Sequence, residues 1–278
     1  MKTQIRNYFK IMLTAMMVVI VGISFAQTKG NGKVVTEKRS TGDFTGIKLL
    51  CSADLYIHQG STSVEVKADE NIIKYIETTV TDGVLEINVK NKGFRSVTVL
   101  EVYISVPNLE VIKSLGSGDI KFVDTFKAHD LLINMSGSGD LDADFDASNL
   151  ELNVNGSGDT EITGIGGAFK VSVAGSGDVE AQDLKLEDCF VKNNGSGDIF
   201  LNGKTNNLTV NVGGSGDVEA YNLTAVRATI SSNGSSDITL NVVEELQVMI
   251  NGSGDVTYRG NPAKVDVSSR GSGEVYKK

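Results

Sequence analysis

A four-residue word recurs along this chain at an almost fixed interval. Gly-Ser-Gly-Asp begins at Gly116, Gly137, Gly156, Gly175, Gly195, Gly214 and Gly252, with Gly-Ser-Ser-Asp at Gly234 and Gly-Ser-Gly-Glu at Gly271. Successive starts are 21, 19, 19, 20, 19, 20, 18 and 19 residues apart, so no long insertion separates any two of the nine copies. A period this short and regular is the signature of a solenoid, in which one supersecondary unit repeats and stacks.

The residues around each word identify the unit. Before the turn, apolar side chains alternate, as in Leu131, Ile133 and Met135, or Leu150, Leu152 and Val154, while Asn134, Glu151, Asn153, Ser172, Gln247 and Met249 fall between such positions. A period of two reads as a strand with one face inward. After the turn, Ile120, Leu141, Val179, Ile199, Val218, Ile238, Val256 and Val275 follow the acidic residue directly, which marks a second strand. A looser apolar group, such as Phe145, Leu184 with Leu186, or Leu223 with Val226, closes the coil. About 19 residues cannot bury their own apolar face, so like must stack on like. The expected fold is all-β, a right-handed parallel β-helix (β-solenoid) of about nine coils, with a rise of ~4.8 Å per coil.

The segments outside the repeats read differently. Residues 1–26 hold Lys2, Arg6 and Lys10, an uncharged apolar run over 11–23, then Ser24-Phe25-Ala26, the pattern of a secretory signal peptide. Residues 27–40 are a linker. Residues 41–108 form a β-rich region, with a hairpin turn at Asp82-Gly83, a short helix within 69–78, and Leu50 to Leu55 as a worn copy of the repeated turn. The repeat solenoid spans 109–278.

Removing the signal takes three of the 26 basic residues and none of the 35 acidic ones, leaving 23 against 35, a net charge of −12. That balance excludes nucleic acid as an expected partner. Cys51 and Cys189 stand in no disulfide or metal spacing and read as small buried hydrophobes.

Stacking places Asp119, Asp140, Asp159, Asp178, Asp198, Asp217, Asp237, Asp255 and Glu274 in one column. Like charges ~5 Å apart repel by about 1 kcal/mol even in water. Two readings compete. In the first, Asp is turn chemistry: the glycines supply positive φ, and the carboxylate accepts amides within its own turn. In the second, the column binds calcium, whose hard oxygen coordination suits stacked carboxylates. A polysaccharide-acting enzyme would need one coil to differ from the rest, and the even intervals speak against it. His58 and His129, the two histidines, read as surface or packed residues.

Gly42-Asp43-Phe44-Thr45-Gly46-Ile47, Ile57-His58-Gln59-Gly60, Val64-Glu65-Val66-Lys67-Ala68-Asp69, Gly83-Val84-Leu85-Glu86-Ile87, Val106-Pro107-Asn108-Leu109-Glu110 and the repeat series resemble the auto-transporter adhesins of the head GIN domain type, over Thr41 to Lys278. The resemblance implies a right-handed β-helix-like fold and an adhesin or envelope role. It assigns no functional residues. The sequence ends at Lys278, directly after its last repeat, so translocation through a barrel of its own is not expected. The expected function is thus an exported, non-catalytic, adhesin-like or cell-envelope interaction protein, meeting a glycan or protein of the envelope in the periplasm, at the surface or outside the cell. A calcium-stabilised structural envelope protein is the alternative.

Overall fold

The computed structural model describes residues 27–90 and 93–278. The expected signal peptide lies outside the described residues. Among the described residues nineteen strands join one continuous sheet, wound into stacked parallel coils, and Thr28–Lys29 pairs separately with Phe94–Arg95.

Each coil is one nearly unbroken strand bent around the core. In Leu141–Val154 burial alternates, and Leu141, Ala143, Phe145, Ala147, Leu150, Leu152 and Val154 are all buried. Their register to the neighbours is like on like: Leu131 faces Leu150, Leu150 faces Phe169, Phe169 faces Cys189 and Cys189 faces Leu208. Each large side chain contributes about 1.5–3 kcal/mol when fully buried, but only because a coil lies on either side. The third side is closed by Phe126, Phe145, Ile165, Leu184 and Val242; in the coil after Val218 the inward pair is Leu223 and Ala225, while Val226 is only half-buried. Phe122 meets Phe126 and Phe145 edge-on, at 5.4 and 5.0 Å between ring centroids.

The stack begins earlier than the nine repeated words. Gly46–Leu49 pairs in parallel with Val111–Ser114, and Asp54–Gln59 pairs with Ile120–Phe122. The worn copy at Leu50 to Leu55 is therefore the first turn of the solenoid. Below it, Val84–Val89 and Leu100–Val106 supply two more parallel rungs from separate segments. Antiparallel strands then close this end: Ile76–Thr81 on one side, and Ser63–Asp69 followed by Val34–Arg39 on the other. The outermost strand carries Glu37, Lys38 and Arg39, which blunt an edge that would otherwise pair with other chains.

Two expectations need correction. The segment over 69–78 is not a helix beyond the single 3₁₀ turn Ile73–Tyr75, after which Ile76–Thr81 is a strand. The hairpin at Asp82-Gly83 does form, with φ of 50° and 74°. The repeat glycines, however, do not adopt positive φ. They are required by close approach. A Cβ on Gly137 would lie 1.6 Å from the carbonyl oxygen of Gly116, and one on Gly158 would lie 2.0 Å from that of Gly139. Each turn is thus pressed against the equivalent turn one coil earlier. The first turn has no predecessor, which is why Cys51 and Ala53 stand there in glycine positions.

Candidate functional site

The acidic column is held by a regular hydrogen-bond ladder. The backbone N–H of each acidic residue donates to the Oδ1 of the aspartate one coil earlier. Asp119 donates to Asp54 at 3.0 Å, Asp140 to Asp119 at 3.0 Å, Asp159 to Asp140 at 2.8 Å and Asp178 to Asp159 at 2.9 Å. The series continues through Asp198, Asp217, Asp237 and Asp255 and ends with Glu274 donating to Asp255. The carboxylate stands in for a backbone acceptor at the point where the chain turns the corner. The bond runs between coils, not within the turn as the sequence suggested. Glu274, last in the series, instead accepts the Tyr276 hydroxyl at 2.7 Å, and this bond raises the pKa of the phenol. Asp54, absent from the nine sequence positions, opens the column. Among the described residues no three His, Cys, Asp or Glu side chains converge on a point that a metal ion could occupy.

The same face carries a second outward column, reading Tyr103, Tyr56, Lys121, Asp142, Glu161, Glu180, Phe200, Glu219, Thr239, Thr257 and Tyr276 from coil to coil. Tyr56 and Tyr103 stack at 5.0 Å with planes 15° apart. Acidic groups dominate between them and Phe200.

A wide concavity of about 1040 Å³ lies elsewhere, at the corner where the loop Asn108–Glu110 meets 127–132 and 149–151. Gln59 builds its wall: its Nε2 donates to the carbonyls of Pro107 and Lys127, both at 3.0 Å, and its Oε1 accepts the Lys127 amide at 3.1 Å. The charges around the groove are largely matched to one another. Lys170 bonds Glu151 at 2.8 Å, and Asn149 donates to Asp130 at 2.6 Å. No motif announced this groove, because its lining comes from six separated segments.

The remaining reactive groups are dispersed. His58 Nδ1 lies 2.5 Å from Asp124, and His129 lies 3.9 Å from Asp130; both histidines are exposed. Cys51 and Cys189 are unpaired. Burial pushes the Cys189 thiol up to about 12 and also raises Cys51, which favours the neutral thiol in both.

Residues 43–200 and 189–262 match the family described as "Putative auto-transporter adhesin, head GIN domain". The chain belongs to this family. Solved structures agree. A protein from Parabacteroides distasonis ATCC 8503, called "putative lipid binding protein", is 27% identical, with a TM-score of 0.71 over 91% of this chain and 99% of its own. A "putative adhesin" from Parabacteroides merdae ATCC 43184 is 24% identical, with a TM-score of 0.68 over 91% and 99%. Another from P. distasonis is 22% identical, with a TM-score of 0.67 over 91% and 100%. The last two support the fold alone. No curated protein matches. The family is adhesin-like, which makes the chain a surface or exported protein. Among the described residues no helix is long and apolar enough to cross a membrane.

Proposed function

We propose that this chain is an exported, non-catalytic, adhesin-like protein of the cell envelope, which uses the long sides of its solenoid to hold an envelope glycan or protein. The observation that carries this reading is the uniform stack: outward columns run unbroken from Tyr103 to Tyr276 along a face that a partner can engage at many points. The dispersal of His58, His129, Cys51 and Cys189 supports a role other than catalysis. The acidic column serves the turns, each carboxylate being engaged by an amide.

A pulldown with residues 27–278 against envelope fractions, a glycan array and phosphatidylglycerol or phosphatidylcholine vesicles tests the reading. Saturable capture of an envelope protein or glycan supports it. Capture by vesicles alone would replace it with a lipid-binding role like that named for the P. distasonis protein. Hydrolysis of any arrayed glycan would overturn the non-catalytic assignment.

A further inference from the structure

The register between coils slips at several points along the stack, among them Asp144 to Ala147 and Gly167 to Ala168, and three of the slips lie beside Phe200 and its neighbours. The ladders between successive coils slip in register between Ala181 and Leu184, between Phe200 and Asn202, and between Ala220 and Thr224. Such bulges re-aim side chains. Beside these slips lies a cleft of about 190 Å³, lined by Glu180, Gln182, Phe200, Asn202, Glu219 and Tyr221 among others.

From this cleft we infer a binding subsite for a non-anionic pyranose of a glycan chain, a deepening that rests on the adhesin-like reading above. Phe200 points outward between buried Ile199 and Leu201, with Glu180 and Glu219 as its register partners on the two sides. The two carboxylate positions are therefore two coil steps apart, about 10 Å. This places an aromatic side chain in the middle and hydrogen-bond acceptors at both edges, a set that a sugar ring can use: its C–H face packs on an aromatic ring and its hydroxyls donate outward. The set is partly fixed in advance. Gln182 Nε2 holds Glu180 Oε1 at 2.6 Å, and the Arg259 guanidinium sits 4.6 Å from the centre of the Tyr221 ring.

The charge of the cleft narrows the ligand. No lysine, arginine or histidine lines it; one cation, Arg259, is engaged on the Tyr221 ring, against the carboxylates of Glu180 and Glu219 in the cleft and of Asp198 and Asp217 beside it in the adjoining column. Uronic, sulfated and phosphorylated sugars are therefore repelled. A basic peptide would satisfy the carboxylates, but it makes no use of the neutral amides of Gln182, Asn202 and Asn222, whereas sugar hydroxyls both donate to and accept from amides.

Calorimetric titration of residues 27–278 with cellohexaose, the N-acetylglucosamine hexamer, oligogalacturonate and oligolysine tests the assignment. One or both neutral hexamers should bind, and oligogalacturonate should not. Phe200→Ala should weaken binding at least tenfold and Glu219→Gln severalfold, with Met249→Ala on another outward face as the unaffected control. Unchanged circular dichroism melting shows that a variant is folded, and Glu219→Gln keeps the test decisive if Phe200→Ala is not. Absence of binding by both neutral hexamers, or binding indifferent to both substitutions, overturns the subsite. Binding of oligolysine alone, lost in Phe200→Ala, replaces the sugar by a basic peptide. Envelope capture that persists in Phe200→Ala while the hexamers fail leaves the adhesin-like reading standing without this cleft; loss of all capture by the unsubstituted protein removes both.

Discussion

The same glycine is required for opposite reasons in a turn and in a stack, and in this chain the stack decides. Because the missing Cβ of Gly158 faces the Gly139 carbonyl at 2.0 Å, Gly158→Ala must push two coils apart. Overpacking of this kind costs about 1–3 kcal/mol. A lower urea midpoint by circular dichroism is expected, whereas Ala53→Gly, with no turn beneath it, should cost less than about 1 kcal/mol. Ser236 is the one repeat position after the first turn that carries a side chain in the second glycine place, and it is buried, its hydroxyl donating to the Gly214 carbonyl at 3.2 Å. The aspartates can be separated from the glycines by an equally local test. Asp178 accepts the Asp198 amide at 2.8 Å. Asp178→Asn keeps that acceptor and should be nearly neutral, while Asp178→Ala leaves an amide to water and should cost about 1 kcal/mol. Millimolar calcium should leave the melting temperature of the unsubstituted protein where it is, since the carboxylates are already engaged. A rise abolished by chelator would show that the ion wins over the amides.

At the scale of elements, the capped end depends on one buried carboxylate. Asp69 ends the strand Ser63–Asp69 and accepts the Gly32 amide at 2.6 Å, the Thr98 amide at 2.7 Å and the Thr98 hydroxyl at 2.9 Å. Burial works to raise its pKa, but these donors outweigh it and hold the group below the ordinary carboxylate value. A depressed folded-state pKa contributes stability above the unfolded value of about 4, and that contribution is lost as pH falls through the folded value. Hydrogen exchange around Gly32 and Thr98 should therefore accelerate below pH 4 before the repeat coils respond, and Asp69→Asn should produce the same local loosening at pH 7. If those amides stay as protected as the coils, the tie is not what holds the cap. This end is also where the sequence was least legible. Repeats expose their geometry because each position is sampled nine times, so the inward set Leu150, Leu152, Val154 and its equivalents could be read directly. The cap is sampled once. Ile72, Ile73 and Ile76 imitate one face of a helix, yet all three are buried around a 3₁₀ turn, and Thr78-Thr79-Val80-Thr81 continues as the first strand of the hairpin. The groove at Gln59 and the cleft at Phe200 escaped for a related reason. Both arise from loops and register slips that carry no periodic signal.

For the whole molecule, the decisive property is that a coil touches only its neighbours. Excision of one complete period, Gly175 to Asn194, joins Ala174 to Gly195 and lays Phe169, Val171 and Val173 directly against Leu208, Val210 and Val212. These are the same inward positions that now meet through Cys189, Val191 and Asn193. An ordinary globular domain would not survive loss of a central segment of this kind. A one-dimensional stack should, because its stability is close to a sum of unit and interface contributions. The excised coil also holds Asn193, the one asparagine buried in the core among the described residues, which donates to the carbonyls of Gly197 and Gly216 and accepts the Gly195 amide at 3.0 Å. Other coils place Val173 or Val212 at this position, so the plug is a local solution and not a requirement of the fold. The shortened protein is expected to keep its strand signal in circular dichroism, unfold cooperatively at a lower urea midpoint, and shorten by about 5 Å in small-angle scattering. It should also bring Glu161 into the register place of Glu180 beside Phe200 and put Thr163 where Gln182 stood, so the cleft keeps a carboxylate edge but loses the Gln182 amide, while Glu219 stays in register. A folded, shorter rod with weakened binding of neutral sugar would separate what the repeats supply, a scaffold of interchangeable coils, from what their irregularities supply. An aggregated or molten product would show instead that the bulges between coils are part of the fold itself.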